Sequence, residues 1–331
     1  MIRPHVLLFE PIHPEALGWL RERAEVTMAP DLHEETLRAL AAGADGIVIR
    51  AHGRVDERLL AGSLRLRVVG RHGVGLDNVD IDACTRRGVW VVHTPLAGVE
   101  AVAEHAVALM LAVARHVVRG DRAVRAGEFD AARMTLVGQE LAGRTLGVVG
   151  FGRIGQRTAE ICRAAFGMTV LFSDVLPHAE AAARLGARRV ALTELLRRGD
   201  VVTLHLPLTP ETTHLLDGAG LAAMKRGAIL INASRGAVVD QEALVEALRA
   251  RRLSAGLDVF EEEPLPLEHP LAALSNVVLT PHNASHSEDA LRAMAGVVED
   301  VIRVLSGKPP LYPANMPQAA TTDRGKGERA R

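Results

Sequence analysis

Residues 147–155 read GVVGFGRIG, and this stretch decides the fold of the chain. An apolar strand pattern is followed by Gly150, Gly152 and Gly155 in G-x-G-x-x-G spacing, and then by a helical pattern. The first glycine permits a tight turn, the second lets the backbone approach a pyrophosphate, and the third lets the helix pack closely on the strand. Because the amino terminus of a helix attracts anions, the spacing predicts a dinucleotide-binding βαβ unit. A glycine turn with a purely structural purpose is the alternative interpretation.

The next strand pattern, TVLFSD, ends in Asp174, which follows Gly155 by 19 residues. A carboxylate about 20 residues beyond the glycines is typical of binding to the ribose hydroxyls of the adenosine. It would also repel a 2′-phosphate, and no arginine occurs between Asp174 and Arg184 to compensate. We therefore expect NAD rather than NADP as the cofactor. The alternative role for Asp174 is to cap the helix that follows it.

Short apolar runs alternate with amphipathic helical patterns on both sides of this motif. Strands are predicted in a first series at 5–9, 46–49, 67–69 and 89–93, and in a second at 145–149, 169–172, 201–204, 228–232, 254–258 and 277–280. The helical patterns include 14–23, 33–41, 153–166 and 241–250. Continuous apolar strands separated by helices are typical of parallel sheets covered on both faces. The predicted fold is therefore α/β, with two doubly wound parallel-sheet domains.

Two further stretches are strongly helical. An Ala/Val/Leu-rich pattern at 99–119, followed by another through Ala126, is more than one crossover requires. It predicts interdomain packing, with an exposed part available to a subunit partner. A second pattern at 286–305 is predicted to stop because of Pro309, Pro310 and Pro313. The polar, charged tail from Gln318 is predicted to be disordered.

Composition excludes several classes of protein. The chain has 331 residues, which favours two domains, and 39 basic against 40 acidic residues give a net charge of −1. Without a basic excess, binding to nucleic acid through phosphate neutralisation is not expected. No apolar stretch reaches the roughly 18 residues of a membrane-spanning helix, and the start of the chain lacks a signal-peptide pattern. Cys84 and Cys162 are too few for a disulfide framework or a four-cysteine zinc site, so we expect no metal and a cytoplasmic location.

Three side chains at predicted strand ends could supply the chemistry of hydride exchange with a hydroxy acid. Arg235, in ILINASRG, can hold a carboxylate through two hydrogen bonds. His282, in VVLTPHNAS, titrates near neutral pH and suits proton transfer. Glu263, in DVFEEEP, would raise the pKa of a nearby imidazole and fix its tautomer. Open α/β sheets bind ligands at the carboxyl ends of their strands, although each of these residue types, taken alone, is more often a solvated or structural group.

The order of these motifs resembles the D-isomer-specific 2-hydroxyacid dehydrogenases, an NAD-dependent family. The resemblance runs from Val6 to Leu311 and rests on GRHGVGLDNVD (70–80), GFGRIG (150–155), NASRGAVVD (232–240), LDVFEEEP (257–264) and TPHNA (280–284). It implies that Arg235 binds the substrate, that His282 is the acid/base and that Glu263 is its partner. It also implies cofactor contacts at Gly150, Gly152, Arg153, Ile154, Gly155, Asp174, His205, Pro207, Ala233, Asp258 and Ala284.

The same resemblance implies the arrangement of the domains. A Rossmann NAD-binding domain at 99–284 would be inserted into a flavodoxin-like substrate domain formed by 1–98 and 285–315, with 316–331 as a disordered tail. Backbone groups of Val74 and Gly75 would face the substrate carboxylate, and Asp258 would face the nicotinamide carboxamide. The expected assembly is a homodimer, and the expected substrate is a small 2-hydroxy or 2-oxo acid.

The form GRHGVG at 70–75 resembles the phosphoglycerate dehydrogenase branch, in which Arg50 and Arg71 would together bind a distal phosphate. Surface salt bridging is the alternative role for both arginines. Residues 93–98, HTPLAG, depart from the N-T-P-x-x-N pattern of the family at His93 and Gly98. The predicted activity is that of a 3-phosphoglycerate dehydrogenase, with hydroxypyruvate or glyoxylate reduction as the alternative. An NAD(H)-binding corepressor-like scaffold is a further alternative, and turnover of a 2-oxo acid would separate it from an enzyme.

Overall fold

The computed structural model describes residues 3–317. These residues divide into two compact units: one contains residues 3–98 and 288–317, and the other spans Val99–Ser287. From Gln318 onward, the predicted disordered tail lies outside the described residues.

Five short strands form the parallel sheet of the first unit, in the order β2-β1-β3-β4-β5, which is the flavodoxin-like order. In chain order the elements are β1 (His5–Leu8), α1 (Pro14–Arg21), β2 (Glu25–Met28), α2 (Glu34–Ala41), β3 (Gly46–Ile49), α3 (Glu57–Gly62), β4 (Val68–Arg71), α4 (Ile81–Arg86) and β5 (Trp90–His93). The central strands are buried runs of Val, Ile and Leu, so their sequences predicted them. β2 was not predicted because it is a partly exposed edge strand with the mixed sequence EVTM.

Seven parallel strands form the sheet of the second unit, in the order β12-β11-β10-β9-β6-β7-β8. Its elements are α5 (Val99–Ala114), α6 (Val117–Arg125), α7 (Phe129–Thr135), β6 (Thr145–Val149), α8 (Arg153–Phe166), β7 (Thr169–Ser173), α9 (Ala179–Leu185), β8 (Arg188–Arg189), α10 (Leu192–Arg198), β9 (Val201–Leu204), α11 (Gly218–Ala223), β10 (Ala228–Asn232), α12 (Gln241–Arg249), β11 (Leu253–Leu257), α13 (Pro270–Ala273) and β12 (Val277–Leu279). Six of these strands have the order of a doubly wound nucleotide-binding sheet, and β12 extends one edge. The strand order reverses between β6 and β9, which is where such sheets bind their ligands. The predicted α/β fold class, a Rossmann domain inserted into a flavodoxin-like domain, is confirmed.

Two predicted helices are each divided in two. The pattern at 99–119 breaks after α5, because His116 adopts a left-handed backbone conformation with φ of 56° and α6 begins at the next residue. The pattern at 286–305 forms α14 (Glu288–Ala295) and α15 (Val297–Leu305), with Gly296 between them. Glycine has a weak helix propensity, which explains the interruption. The second helix ends at Leu305, so the predicted stop at Pro309 is not what terminates it.

The helix α5 is a core element of the second unit. Its buried face includes Ala106, Leu109, Met110 and Val113, which pack in the same hydrophobic cluster as β6 and β10. Within residues 3–317, no single helix is both long and apolar enough to span a membrane. Among the described helices, α5 and α6 reach that length when taken together, and they are bent by 61° at their junction.

Candidate active site

The glycine turn after β6 combines two closed positions with an open one. Gly150 has a left-handed φ of 88°, and a Cβ there would lie 2.4 Å from the carbonyl oxygen of His205. A Cβ on Gly155 would lie 2.2 Å from the carbonyl oxygen of Gly150, so glycine is required at both positions. A Cβ on Gly152 would meet no atom within 4 Å, and this residue directly precedes α8, whose first turn has no side-chain cap. Open space beside uncapped N–H groups fits the pyrophosphate of a dinucleotide.

Asp174 follows β7 and is tied to this glycine turn. Its Oδ2 accepts the backbone N–H of Phe151 at 2.6 Å, and its Oδ1 accepts that of Leu176 at 2.9 Å. Nε2 of His178 lies 3.4 Å from Oδ2. The residue at the N-cap of α9 is His178, so Asp174 does not cap that helix. The carboxylate therefore stands at the strand end where the ribose hydroxyls of a dinucleotide are expected.

Arg189 lies at the same strand end and was missed in the sequence. Its Nη2 donates to the carbonyl oxygens of Asp174 at 2.8 Å and of Val175 at 3.1 Å. Along the chain no arginine follows Asp174 before Arg184, whereas Arg189 comes close to it through the pairing of β8 with β7. The register of the edge strand β8 against β7 brings the guanidinium of Arg189 to Asp174. The sequence of β8, two exposed arginines, has no apolar pattern that would predict a strand.

His282 and Glu263 form a direct pair. Nδ1 of His282 lies 2.6 Å from Oε2 of Glu263, and the other carboxylate oxygen accepts the backbone N–H of Phe260 at 3.0 Å. The hydrogen bond that Nδ1 of His282 donates to Glu263 raises the pKa of His282 above its usual value. Burial opposes ionisation of Glu263, but the hydrogen bond from His282 nevertheless holds the pKa of this carboxyl below its usual value. The two side chains are 50% and 35% exposed, so this pair is open to a ligand.

Arg235 belongs to the same cluster of side chains. A Cβ on the next residue, Gly236, would lie 1.9 Å from the carbonyl carbon of Phe260, so the arginine loop lies directly against the turn that carries Glu263. The pKa of His282, which the Glu263 hydrogen bond raises, is in part lowered by the positive charge of Arg235. The structure thus brings the three predicted catalytic side chains together. Their catalytic roles stay predictions.

Asp258 organises the loop that carries His282. Its carboxylate is completely buried. Oδ1 accepts hydrogen bonds from the hydroxyl of Thr280 at 2.6 Å and from the N–H of Asn283 at 3.0 Å. Oδ2 accepts one from the N–H of Ala284 at 2.9 Å. The carbonyl oxygen of Asp258 accepts the N–H of His282 at 2.8 Å. Burial opposes the charge, but hydrogen bonds from side chains and backbone keep the pKa of Asp258 below its usual value. A contact between this carboxylate and the nicotinamide carboxamide stays a prediction.

The remaining predicted cofactor residues follow the carboxyl ends of neighbouring strands. Burial lowers the pKa of His205, after β9, to about 4, so its imidazole is neutral, and its Nε2 lies 3.0 Å from the hydroxyl of Thr203. Pro207 accepts the hydroxyl of Thr212 through its carbonyl oxygen at 2.7 Å. Because all strands of the sheet are parallel, its carboxyl edge collects these positions together with Arg153, Ile154, Ala233 and Ala284.

Two arginines of the first unit converge on one buried imidazole. Arg50 directly follows β3 and Arg71 ends the adjacent strand β4. Burial, followed by the charges of Arg50 and Arg71, lowers the pKa of His72 to about 3. Asn78 links the two, since its Nδ2 donates to the carbonyl oxygen of Arg50 at 3.0 Å and its Oδ1 accepts from Nε of Arg71 at 3.3 Å. Asn78 thus joins the backbone of Arg50 to the guanidinium of Arg71, and the charges of both arginines reach the neutral imidazole of His72.

The turn after β4 is held by His93, which departs from the family pattern, and by its neighbour Thr94. The N–H of Gly73 donates to the hydroxyl of Thr94 at 3.1 Å. Nδ1 of His93, which stands in place of an asparagine in the family pattern, lies 3.2 Å from the carbonyl oxygen of Val74. Val74 is 42% exposed, and its carbonyl oxygen is held by the contact with His93. The contact of Val74 and Gly75 with a substrate carboxylate stays a prediction.

Sequence reasoning missed His105 and Thr280. Nε2 of His105 lies 3.0 Å from the hydroxyl of Thr280 and 3.5 Å from Oδ1 of Asp258. The available signal was an ionisable side chain within the apolar sequence of α5, VEAVAEHAVALMLAVA. Across the part of the chain that the structure describes, no group of three His, Cys, Asp or Glu side chains is placed to hold a metal ion.

A doubly wound sheet with an open glycine turn at its switch point defines a dinucleotide-binding protein. Residues 107–284 match the family model described as "D-isomer specific 2-hydroxyacid dehydrogenase, NAD binding domain". The chain therefore belongs to the D-isomer specific 2-hydroxyacid dehydrogenase family. The predicted family and the predicted cofactor, NAD, are confirmed.

Proteins with known names are similar to this chain over most of its length. The chain is 43% identical to a glyoxylate reductase of Aeropyrum pernix over 320 residues, which covers 94% of this chain and 95% of the relative. It is 40% identical to a D-3-phosphoglycerate dehydrogenase of Methanocaldococcus jannaschii over 324 residues, covering 97% of this chain and 61% of the relative. This chain thus spans about three fifths of that relative's length. A holo form of D-mandelate dehydrogenase from Rhodotorula graminis is similar in structure, with a TM-score of 0.88 and 32% identity over 96% of this chain and 99% of that one.

Proposed function

We propose that this protein is an NAD-dependent D-2-hydroxyacid dehydrogenase, which moves a hydride between the nicotinamide and C2 of a 2-hydroxy or 2-oxo acid. One observation carries the proposal: His282 is held 2.6 Å from Glu263, and the charge of Arg235 acts on the same imidazole. This cluster lies at the carboxyl edge of the sheet that bears the glycine turn. An acid/base with a fixed tautomer beside a cation is what oxidation of a hydroxy acid requires.

His282 moves the proton. Because Glu263 accepts a hydrogen bond from Nδ1, Nε2 is the nitrogen left to exchange a proton with the substrate oxygen. In reduction, protonated His282 gives its Nε2 proton to the oxygen on C2; in oxidation, neutral His282 takes it back. The carboxylate of Glu263 stabilises the imidazolium and fixes the orientation of the ring.

Arg235 binds and polarises the substrate. A guanidinium can hold both oxygens of a carboxylate, and its charge stabilises the negative charge that develops on the oxygen at C2. Removing Arg235 should therefore weaken substrate binding and slow the reaction together.

NAD, when bound, supplies the hydride-transfer chemistry. The open position at Gly152 and the first turn of α8 would hold its pyrophosphate, and Asp174 would bind the ribose hydroxyls of the adenosine. Further contacts are proposed at Gly150, Arg153, Ile154, Gly155, His205, Pro207, Ala233, Asp258 and Ala284.

The first candidate substrate is 3-phosphoglycerate, with its 2-oxo form in the reverse direction. Arg50 directly follows β3 and Arg71 ends the adjacent strand β4, so two cationic residues lie at the same end of neighbouring strands. Paired guanidiniums suit a dianionic phosphate. The name of the relative from Methanocaldococcus jannaschii agrees with this candidate.

Glyoxylate or hydroxypyruvate is the second candidate. Both guanidiniums have partners within their own unit: Arg50 donates to the carbonyl oxygen of Pro11, and Arg71 donates to Asn78 and to the carbonyl oxygen of His72. Arginines held in this way could serve a structural purpose, leaving a site for a small acid. The higher identity to a glyoxylate reductase, 43%, also favours this candidate.

Initial rates separate the candidates. We expect NADH oxidation with 3-phosphohydroxypyruvate, hydroxypyruvate and glyoxylate, fastest with the phosphorylated acid. The variant Arg50→Gln/Arg71→Gln should raise KM for that acid about 10-fold or more and leave glyoxylate, which has no phosphate, nearly unchanged. Equal effects on both acids would reject the phosphate-binding role. If no 2-oxo acid is reduced, the enzymatic proposal is wrong and an NAD(H)-binding scaffold is favoured.

We propose that the protein is a homodimer joined through α6, α7 and their flanking loops. Neither helix contains a buried residue, and this region exposes the apolar side chains Val117, Val124, Phe129, Met134 and Val137. An apolar face of this kind marks an interaction surface, and a second copy can cover it symmetrically. Light scattering should give the dimer mass for the wild type and the monomer mass for Phe129→Asp/Met134→Asp. A monomeric wild type would refute the proposal.

We also propose a cytoplasmic location. Cys84 and Cys162 are free and buried, and burial raises the pKa of both thiols to about 12. Unpaired cysteines agree with a reducing compartment. Cell fractionation followed by immunodetection would test this directly.

A further inference from the structure

A second imidazole is connected to the active-site loop through hydrogen bonds. Nε2 of His105, on α5, lies 3.0 Å from the hydroxyl oxygen of Thr280. That hydroxyl donates its own proton to Oδ1 of Asp258 over 2.6 Å. The oxygen of Thr280 therefore offers lone pairs to His105, and Nε2 of His105 must carry the proton that it donates. The hydrogen bonds thus run in one direction, from His105 through Thr280 to Asp258.

Asp258 in turn holds the loop that carries His282 through hydrogen bonds to its backbone. Its buried carboxylate accepts the N–H groups of Asn283 and Ala284, and its carbonyl oxygen accepts that of His282. His282 has a left-handed φ of 51°, which is uncommon for a residue with a side chain. Such a conformation persists only when surrounding contacts determine it. Here the N–H of His282 donates to the carbonyl oxygens of Asp258 and Thr280 and its ring contacts Glu263, while the carboxylate of Asp258 holds the two residues that follow.

The position of His105 in α5 is costly unless its ring is hydrogen-bonded. The imidazole is 21% exposed and stands in a helix otherwise rich in Ala, Val and Leu. A polar ring at such a position is unfavourable unless it makes a hydrogen bond. The buried carboxylate of Asp258 has the complementary need, because an anion that loses a donor pays a desolvation cost. His105 satisfies both requirements through Thr280.

We infer that His105 is a positioning residue of the active site: it orients Thr280, which fixes Asp258 and thereby the loop and imidazole of His282. The inference rests on the proposed function of His282 as the acid/base. His105 acts through these groups, so it is not counted as catalytic. The charged groups that act on His282 are Glu263, Arg235 and Asp258, and a displaced loop would alter its relation to all three.

Two substitutions of His105 test the hydrogen bond. His105→Phe fills the space without a donor, whereas the amide of His105→Gln can still donate to Thr280. We expect kcat of His105→Phe to fall about 10- to 100-fold, since small misplacements of reacting groups have effects of this size. KM and the Kd for NADH should stay within about twofold. His105→Gln should retain most of the wild-type kcat.

Titration of His282 gives a readout that does not depend on turnover. In protein labelled with 15N-histidine, the His282 resonances are assigned by their loss in His282→Ala. In His105→Phe the displaced imidazole of His282 should lose its hydrogen bond to Glu263, so the pKa of His282 should fall. In His105→Gln it should stay near the wild-type value. If the wild type reduces no 2-oxo acid, the proposed function fails, while this titration still decides the role of His105.

The chain offers a matched control in its other unit. Nε2 of His5 lies 2.9 Å from the hydroxyl of Thr27, the same kind of imidazole–hydroxyl contact. His5→Phe should leave both kcat and the His282 titration unchanged. If His105→Phe does not fold, a comparison of Thr280→Val with Thr280→Ser tests the same series of hydrogen bonds. A loss of kcat is expected for the valine variant and not for the serine variant. Wild-type values in His105→Phe or in Thr280→Val, or equal losses in the folded Phe and Gln variants, would overturn the inference.

Discussion

Two imidazole–carboxylate pairs stand at the carboxyl edge of the same sheet, and they differ in contact and exposure. His282 and Glu263 meet directly at 2.6 Å, with side chains 50% and 35% exposed. His105 and Asp258 are 3.5 Å apart, with side chains 21% and 0% exposed, and Thr280 forms the shorter contacts between them. The exposed pair can exchange a proton with a ligand, whereas the buried pair is suited to holding a loop. The same two residue types thus acquire different roles from their surroundings.

The largest effect should come from breaking the exposed pair at its imidazole. His282→Ala is expected to lower kcat by about 10²- to 10⁴-fold, the usual contribution of a positioned acid/base. The loss should exceed that of His105→Phe, which leaves the acid/base in place. Steady-state rates of both variants with the best 2-oxo acid measure the difference.

Binding of NADH is the control for this comparison. Fluorescence titration should give His282→Ala a Kd close to that of the wild type, because the proposed cofactor contacts do not use this side chain. If the two histidine variants were equally impaired, the distinction between a proton-transferring pair and a positioning pair would be lost.

Charge changes around His282 should move the pH profile in opposite directions. Reduction requires protonated His282, so the rate falls as pH rises through its pKa. Glu263→Gln removes the hydrogen bond that raises this pKa, so the descending limb should move to lower pH. Arg235→Gln removes a charge that lowers it, so the limb should move to higher pH, while KM for the 2-oxo acid rises about 10-fold or more.

Profiles of kcat/KM against pH measure both shifts. Glu262→Gln, a neighbour of Glu263 in the same acidic run, is the matched control and should leave the profile unchanged. Shifts of Glu263→Gln and Arg235→Gln in the same direction would mean that His282 is not the group that titrates.

A smaller shift is expected from the buried pair. The charge of Asp258 also raises the pKa of His282, but less than the hydrogen bond that His282 donates to Glu263 does. Asp258→Asn should therefore move the limb to lower pH by less than Glu263→Gln does. It should also cost about 1–3 kcal/mol of unfolding free energy, because buried N–H groups lose a charged acceptor. Urea unfolding and the pH profile check the two parts, and a larger shift than that of Glu263→Gln would contradict this order.

The sequence predicted what depends on local pattern. Buried strands such as β3 and β10 are continuous apolar runs, and Arg235, His282 and Glu263 could be proposed because each follows a strand. Their pairing could not be predicted from spacing, since it depends on how separate loops meet. That expectation came from the resemblance to a family.

Other features escaped because they depend on tertiary context. The edge strand β8 has two exposed arginines and no apolar signal, so the approach of Arg189 to Asp174 was invisible. His105 lies in a pattern that predicts a buried helix but does not say which polar residue finds a partner. The left-handed residue at His116 likewise gives no signal that α5 ends before it.

The smallest expected effect concerns folding stability. The raised pKa of His282 means that its contribution to the unfolding free energy is complete below the unfolded value, about 6.5, and is lost as pH rises through the folded pKa. The lowered pKa of Glu263 means that its contribution is present above about pH 4.3 and is lost as pH falls through its folded pKa. The pair should therefore stabilise most between about pH 4.3 and 6.5. Because both side chains are partly exposed, Glu263→Gln should cost only about 0.2–1 kcal/mol there, and less at higher pH. Urea unfolding of the wild type, Glu263→Gln and Glu262→Gln across pH measures this, and a cost that does not change with pH would show that the exposed pair is held by its hydrogen bond rather than by its charges.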